Sequence, residues 1–336
     1  MSNNNNKSDD IYSIHSSLLA DEMLAIKRKN EKYAIAIGIL SQFIWALNFI
    51  QLKTYQPYFP SAFSNNSLVF WRSLPIWILA RILCSWKNIR IRSFSEIKNK
   101  KWFILRCFGN YVTLVLWIKI LSYFRISTSQ VISGCYPVII IFLSIPILHE
   151  KFYYRYIIGI IICILGSSII ILNEKKPQVS QIKLNDNIIE GLFFCMCHLI
   201  VNALSNLGQK ILCKEKLSAD EQNYFLGMYN TLPALFFCII DKHFGFESIL
   251  YILYAISNGL FLFYLGNYLQ TNSLNYISIS KFMPLTYLIT VFVFILGAII
   301  LHEKVFLTDI LGALMIIGFQ LYNIVFPVGK QVDLNK

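Results

Sequence analysis

Apolar runs of membrane-crossing length recur ten times along this chain of 336 residues, near 33–52, 68–86, 102–122, 127–148, 155–173, 188–212, 223–240, 248–268, 277–300 and 305–326. A helix needs about 20 mostly apolar residues to cross the hydrocarbon core of a bilayer. Strands of a membrane barrel are about half that length and alternate in hydrophobicity, and these runs do not. Backbone polar groups in lipid must be satisfied internally, which leaves helices. The expected fold is all-α and integral to the membrane, with ten transmembrane helices. Composition agrees: 14% of residues are charged and 56% are hydrophobic, whereas soluble domains carry about a quarter charged residues. A soluble enzyme, a nucleic-acid binder and a disordered protein are excluded. The net charge of +12 then reads as loop charge that orients helices.

An even number of spans returns both termini to one side. With that side cytosolic, eighteen Lys and Arg residues fall on inner segments and seven on outer ones, and five (Arg72, Arg81, Arg106, Lys119, Lys281) fall inside spans. This excess follows the positive-inside rule, with the segment 87–101 as its strongest contributor. Residues 1–30 are polar and lack the apolar core of a signal peptide, so a disordered cytosolic tail is expected there. Residues 174–187 are expected to be a linker and 327–336 a cytosolic C-terminal tail. The eight cysteines include no CxxC pair and read as small buried side chains, with no disulfide or zinc site.

The chain also repeats itself. Residues 121–172 align without gaps on 274–325, and the four-residue block LHEK stands at 148–151 and again at 301–304. Upstream, Ala46-Leu47 and Lys53 correspond to Ala203-Leu204 and Lys210, Asn65 and Pro75 to Asn223 and Pro233, and Gly109-Asn110-Tyr111 to Gly266-Asn267-Tyr268. Five helices over 31–173 are thus followed by five related helices over 188–326. Five is odd, so the second set must enter the membrane upside down. Inverted repeats suit alternating access, with a small solute bound near the midplane between the halves.

The same residues resemble the drug/metabolite transporter superfamily, specifically its EamA-type ten-helix carriers. Trp45-Ala46-Leu47-Asn48-Phe49 followed by Lys53 is similar to that family's W-G-x-N-F-x-x-x-K pattern, with Ala46 in place of Gly. Phe70-Trp71-Arg72-Ser73 resembles the Arg-containing start of its second helix. Pro137 and Glu150 resemble a P…LLGE ending in which His149 replaces the Gly. Glu303 and Gly312 repeat that pattern, with Thr290 in place of the proline. The resemblance implies a bundle of two pseudo-symmetric halves. Its relatives export amino acids and drugs or carry nucleotide sugars and triose phosphates, so the cargo is not named by membership.

Polar side chains in spans are costly and usually face a cavity or the bundle interior. Asn48 and Arg72 lie in the outer half, and Arg72 either clamps an anionic group or snorkels to the interface. Its counterpart in the second half is Asn230, beside Tyr229. Lys281, one turn into its helix, is read either as a substrate contact or as a snorkelling cation, while Arg81, Arg106 and Lys119 read as snorkelling. Asn110, Tyr111, Gln130, Asn206, Asn258, Tyr264 and Tyr287 complete the candidate substrate contacts, each weighed against simple packing. Arg72 and Lys281 are the preferred charge contacts.

No Asp or Glu falls deep in a span, so buried cations without buried acids point to an anionic or carboxylate-bearing cargo. No Walker A loop, HExxH or GxSxG motif occurs, so neither catalysis nor ATP-driven pumping is expected, and no cofactor or metal. The expectation is a multi-pass secondary transporter in the plasma membrane or an organelle membrane. Its partners would be a small-molecule substrate and the lipid bilayer, with no nucleic acid, and a homodimer is compatible. An exporter of cationic or neutral amphiphiles, drugs or amino acids is the first alternative, and a non-transporting membrane scaffold the second.

Overall fold

The computed structural model of the chain describes residues 5–55, 65–120, 123, 136–149, 188–246, 248–300 and 307–325, with helical residues between 158 and 169. Helix α1 spans Asn5–Tyr55. It absorbs most of the segment expected to be a disordered tail. Its 51 residues contain no proline and a single glycine, Gly38, so nothing in the sequence breaks the helix where it leaves the apolar run. Next come α2 (Asn65–Trp86), α3 (Lys100–Ile120) and α4 (Tyr136–Leu148). The second half holds α5 (Ile188–Lys214) and α6 (Ala219–Asp241). It continues with a rod made of α7 (Ile249–Ser257), a π-helix (Asn258–Tyr264) and α8 (Leu265–Tyr276). The short α9 (Ile279–Phe282) and a 3-10 turn (Met283–Tyr287) lead into α10 (Leu288–Ile300), and α11 covers Leu307–Val325.

Among the described residues no strand occurs, and seven helical segments are long and apolar enough to cross a membrane. They fall on seven of the ten apolar runs. The remaining runs, near 127–148, 155–173 and 305–326, are helical where described. Many large apolar side chains on these helices face outward, including Ile82, Phe193, Phe236 and Phe261. That outer face suits lipid tails, as in a bundle that needs no polar exterior.

Helix contacts show that the second half is inverted. The sequence repeat makes α2 and α6 equivalents. They run antiparallel: Asn66 Nδ2 donates to Asp241 Oδ2 at one end, Gly227 abuts the Trp77 backbone midway, and Lys87 Nζ meets Asp220 Oδ2 at 2.6 Å at the other end. The repeat also pairs α1 with α5, and α3 with the α7–α8 rod. Accordingly α3 packs antiparallel on α5, through Gly208 against Trp102 and Thr113 against His198. Its counterpart contact, α8 on α1, is stitched by Ser41 Oγ donating to the Gly266 carbonyl and Ser273 Oγ to the Ala34 carbonyl.

Glycines set the closest approaches. A Cβ at Gly208 would sit 2.7 Å from the Trp102 carbonyl oxygen, and one at Gly259 would sit 2.1 Å from the Arg72 carbonyl oxygen. Small residues of this kind let membrane helices pack backbone to backbone. At the end of α4, His149 takes a φ of +53°, the left-handed conformation that closes many helices. This explains why the pattern that residues 137–150 resemble has glycine at that position.

At the Lys87–Asp220 end, the α2–α3 connection is clasped to the α5–α6 corner. Arg92 Nε lies 3.4 Å from Glu221 Oε1, and the Asn99 backbone N–H donates to Glu215 Oε1 at 2.9 Å. Asp220 and Glu221 are buried, and the Asp220 carboxylate raises the Lys87 ammonium above its ordinary value by hydrogen bonding to its charged form.

Candidate functional site

One cavity of about 170 Å³ opens inside the bundle, lined by side chains from α1, α2, α3, α4, α5, the α7–α8 rod and α10. Its size is of the order of cavities that take a benzene molecule. Both repeats contribute, as an inverted-repeat carrier requires. The walls combine aromatic rings (Trp45, Phe49, Trp117, Phe263) with amides and two guanidiniums.

The guanidiniums belong to Arg72 on α2 and Arg106 on α3. Both side chains are buried, at 5% and 4% exposure. Arg72 stacks over the Phe263 ring, its Cζ 4.2 Å from the ring centroid. Arg106 donates through Nη2 to Asn267 Oδ1 at 3.0 Å and through Nη1 to Ser205 Oγ at 3.4 Å. Phe263 and Asn267 are four residues apart on one rod, and such side chains stand about 5–6 Å apart. The two cations therefore reach the same rod within about one turn of each other. No Asp or Glu lines the cavity, and neither arginine has an ion-pair partner among the described residues.

The polar atoms left over around the cavity are donors. Arg72 Nε, Arg106 Nε, Asn48 Nδ2 and Gln42 Nε2 are buried without a hydrogen-bond partner. Asn48 is oriented by its other end, because its Oδ1 accepts from Asn258 Nδ2 at 3.3 Å. Buried polar atoms in native proteins are normally paired, so such a group calls for a ligand or water. A donor-rich, positively charged chamber recognises groups with many acceptor oxygens.

An amide network forms the floor toward the Lys87–Asp220 end. Trp45 Nε1 donates to Gln270 Oε1 at 3.2 Å. Gln270 Nε2 donates to Asn206 Oδ1 and to Gln209 Oε1, each at 3.0 Å. Gln209 Nε2 reaches Thr271 Oγ1 at 2.8 Å. Three helices, α1, α5 and α8, are joined by this layer. One turn below it, Lys210 Nζ donates to the Leu274 and Ile277 carbonyls that end α8.

Of the residues singled out from the sequence, Asn48, Arg72, Asn110 and Asn206 meet at the cavity. The others lie elsewhere. Tyr111 donates to Asn66 Oδ1 at 3.0 Å. Tyr229 packs on Phe103. Asn230 is fully buried with neither amide atom partnered, but is not in the lining. Asn258 stands behind the wall, bonded to Asn48 and Gln51. Tyr264 is bonded to Asp220, and Tyr287 sits in the apolar core. Lys281, preferred as a charge contact, is instead ion-paired with Glu31 and does not line the cavity. Gln130 lies outside the described residues.

Arg106 lines the cavity where Lys281 does not, although its place about a turn from the span end predicts snorkelling. Ser205, on a helix drawn close to α3 at Gly208, and Asn267 on α8 hold it inward. Gln42, His198, Asn202, Asn267 and Gln270 also escaped selection. One signal could have found several of them: His198, Asn202, Ser205, Asn206 and Gln209 follow helical spacing, a polar stripe on an otherwise apolar helix. Among the described residues no group of three His, Cys, Asp or Glu side chains is placed to hold a metal ion.

Comparison with known proteins agrees with this architecture. The sequence profile of the EamA-like transporter family matches residues 32–172 and again 189–322. A solved crystal structure shares the fold, with a TM-score of 0.69 over 86% of this chain and 96% of that chain, at 10% sequence identity. No curated protein matches in sequence.

Proposed function

The chain belongs to the EamA-like transporter family, and from that premise we propose that it carries a small anionic metabolite across its membrane by alternating access. Both repeats of the family profile contribute side chains to the cavity, which supports a solute site between two halves that rock against each other. The amide floor and the clasp at the Lys87–Asp220 end act as the closed gate on that side. The basic segment 87–101 supports a cytosolic placement of this end.

The single observation that carries the reading is the pair of buried guanidiniums facing one cavity without an acid to neutralise them. An Arg at the centre of a membrane helix costs about 2.5–3.5 kcal/mol on insertion scales. A bound anion offsets that cost and satisfies the spare donors. The cavity volume limits the cargo to a small molecule, or to the anionic head of a slightly larger one that reaches toward the outer end.

Counterflow in vesicles reconstituted with purified protein tests this, using a panel of small carboxylates, sulfate and phosphate esters. Arg72→Gln and Arg106→Gln should each lower anion exchange roughly 10- to 100-fold, since a hydrogen bond to a charged group contributes about 1.5–3 kcal/mol. Lys281→Gln should leave exchange close to wild type. Unchanged anion flux in the Arg72→Gln/Arg106→Gln double variant overturns the proposal. The aromatic walls favour one other reading, export of cationic or neutral amphiphiles. Inhibition by organic cations that ignores both arginine changes would select it.

A further inference from the structure

Three candidates outside the anion contacts stand out: the buried Asp220–Lys87–Tyr264 cluster, the unpartnered Asn230 amide, and His198 in the cavity wall. The cluster is already satisfied by its own ion pair, and the Asn230 amide is not in the lining of the cavity. His198 carries an argument further, and that argument rests on the anion-carrier reading above.

His198 lies on α5, is 5% exposed and lines the cavity. Its ring packs on Trp117, 5.3 Å between centroids. Its Nδ1 is 3.3 Å from the Thr113 carbonyl oxygen. A carbonyl can only accept, so Nδ1 carries the ring hydrogen in the neutral imidazole and Nε2 holds the free lone pair. Among the described residues no hydrogen bond engages Nε2.

The side chains that line the cavity with it are uncharged or cationic. From α3 comes Arg106, and outside the lining Lys119 is held over Phe194, one turn from His198. Arg72 comes from α2, and α4 contributes the Tyr136 phenol. The polar side chains from α1 and α8 are amides and an indole, among them Gln42, Asn48, Asn267 and Gln270. No carboxylate faces it among the described residues. Histidine is the one side chain in this lining whose ordinary protonation equilibrium falls near neutral pH.

We propose that His198 is the proton-coupling residue of the carrier, taking up one proton at Nε2 with each anion that binds at Arg72 and Arg106. An anion in the chamber and a third positive charge on its wall stabilise each other, and that linkage is reciprocal. The balance is simple: one proton leaves the compartment the cavity faces and bonds to Nε2. It then departs with the anion on the other side, which restores the neutral ring. With a monovalent anion such as methanesulfonate each cycle moves one negative and one positive charge together, and with sulfate one negative charge remains uncompensated.

Titration calorimetry on the purified full chain in two buffers of different ionisation enthalpy tests this. Sulfate and methanesulfonate serve as probes, because neither changes charge between about pH 5.5 and about pH 8. Wild type should take up roughly one proton per anion bound at the alkaline end, with affinity falling about tenfold per pH unit where uptake is complete. His198→Gln should bind with a pH-independent affinity and no uptake. His198→Lys, a fixed cation, should bind more tightly than His198→Gln, also without uptake. Wild-type binding with no proton uptake overturns the inference, as does a pH dependence that survives in His198→Gln. Should neither variant fold, acidification of the vesicle lumen driven by a sulfate gradient in wild type decides: its absence overturns the coupling. Failure of the anion-carrier reading has a separate signature, an absence of anion binding or its indifference to Arg72→Gln and Arg106→Gln.

Discussion

The two repeats share a frame and differ in what they present to the cavity. α3 runs as one α-helix and carries Arg106. Its equivalent in the second repeat, the α7–α8 rod, is interrupted by a π-helix and has Phe263 at the matching position. Likewise α2 carries Arg72 where α6 carries Asn230. Duplication alone would have produced four guanidiniums or none. Instead each arginine of the first repeat is received by the second: Arg72 by the Phe263 ring and Arg106 by Asn267. The symmetric part of the sequence builds the shared frame, and the asymmetric part sets which charges line the cavity.

Symmetrising the chain should break this division. Arg72→Asn with Arg106→Phe copies both second-repeat residues onto the first and empties the chamber of cations. Anion counterflow should fall more than about 100-fold, since each lost ionic hydrogen bond contributes about 1.5–3 kcal/mol. Arg72→Asn alone should cost less than Arg106→Phe, because the latter also removes the guanidinium donors to Asn267 Oδ1 and Ser205 Oγ.

The π-helix offers the next contrast. Gly259 sits where the rod crosses the Arg72 carbonyl at a distance no side chain tolerates, while the equivalent position on α3 is Trp102. Gly259→Ala should force the rod away from α2 and destabilise the protein by about 1–3 kcal/mol, read as a lower Tm in detergent. Arg72 would lose its stacking on Phe263 with it, so anion affinity should fall in step.

The clasp sharpens the comparison between the two ends. Asp220 raises the Lys87 ammonium above its usual 10.5, so the stabilisation it gives is complete below that value and disappears as pH rises through the folded-state value. Lys87→Met should therefore lower Tm by a constant amount through the neutral range, and the difference from wild type should close in strong alkali. The effect should be under about 1 kcal/mol, since the Lys87 side chain is 39% exposed and solvent screens it.

The smallest effect separates the paired glycines. At Gly109 on α3 an added Cβ meets nothing nearer than 3.6 Å, whereas at the equivalent Gly266 it lies 3.2 Å from the Trp45 indole. Gly109→Ala should be neutral or raise Tm slightly, by a small part of the roughly 1 kcal/mol helix preference of alanine over glycine. Gly266→Ala should lower Tm slightly by pushing the indole off Gln270.

The frame was legible in the sequence because apolar length and a repeated register are one-dimensional signals. Half of the site was not, because depth along a helix says nothing about which way a side chain faces. Arg106 and Lys281 look alike by that measure, each about a turn from a span end. Arg106 turns inward because Ser205 and Asn267 receive it; Lys281 meets Glu31, which the unbroken α1 carries to its side. Tyr264 and Tyr111 were chosen for being polar in apolar runs, and each proves to be occupied by a partner, Asp220 or Asn66. The polar stripe on α5 was readable, since its spacing is helical. The π-helix had no readable cue, as it depends on how α2 presses on Gly259.

Lys210 ties the last carbonyls of α8 to the body of α5. A tether of this kind leaves those two helices little freedom to slide past each other. On the alternating-access proposal, α5 and α8 would travel as one lever, and the sliding would fall at other helix pairs, such as α1 and α8 where Trp45 meets Gln270. A cysteine crosslink between α5 and α8 near Lys210 should then be harmless to turnover, whereas one across the Trp45–Gln270 layer should arrest it.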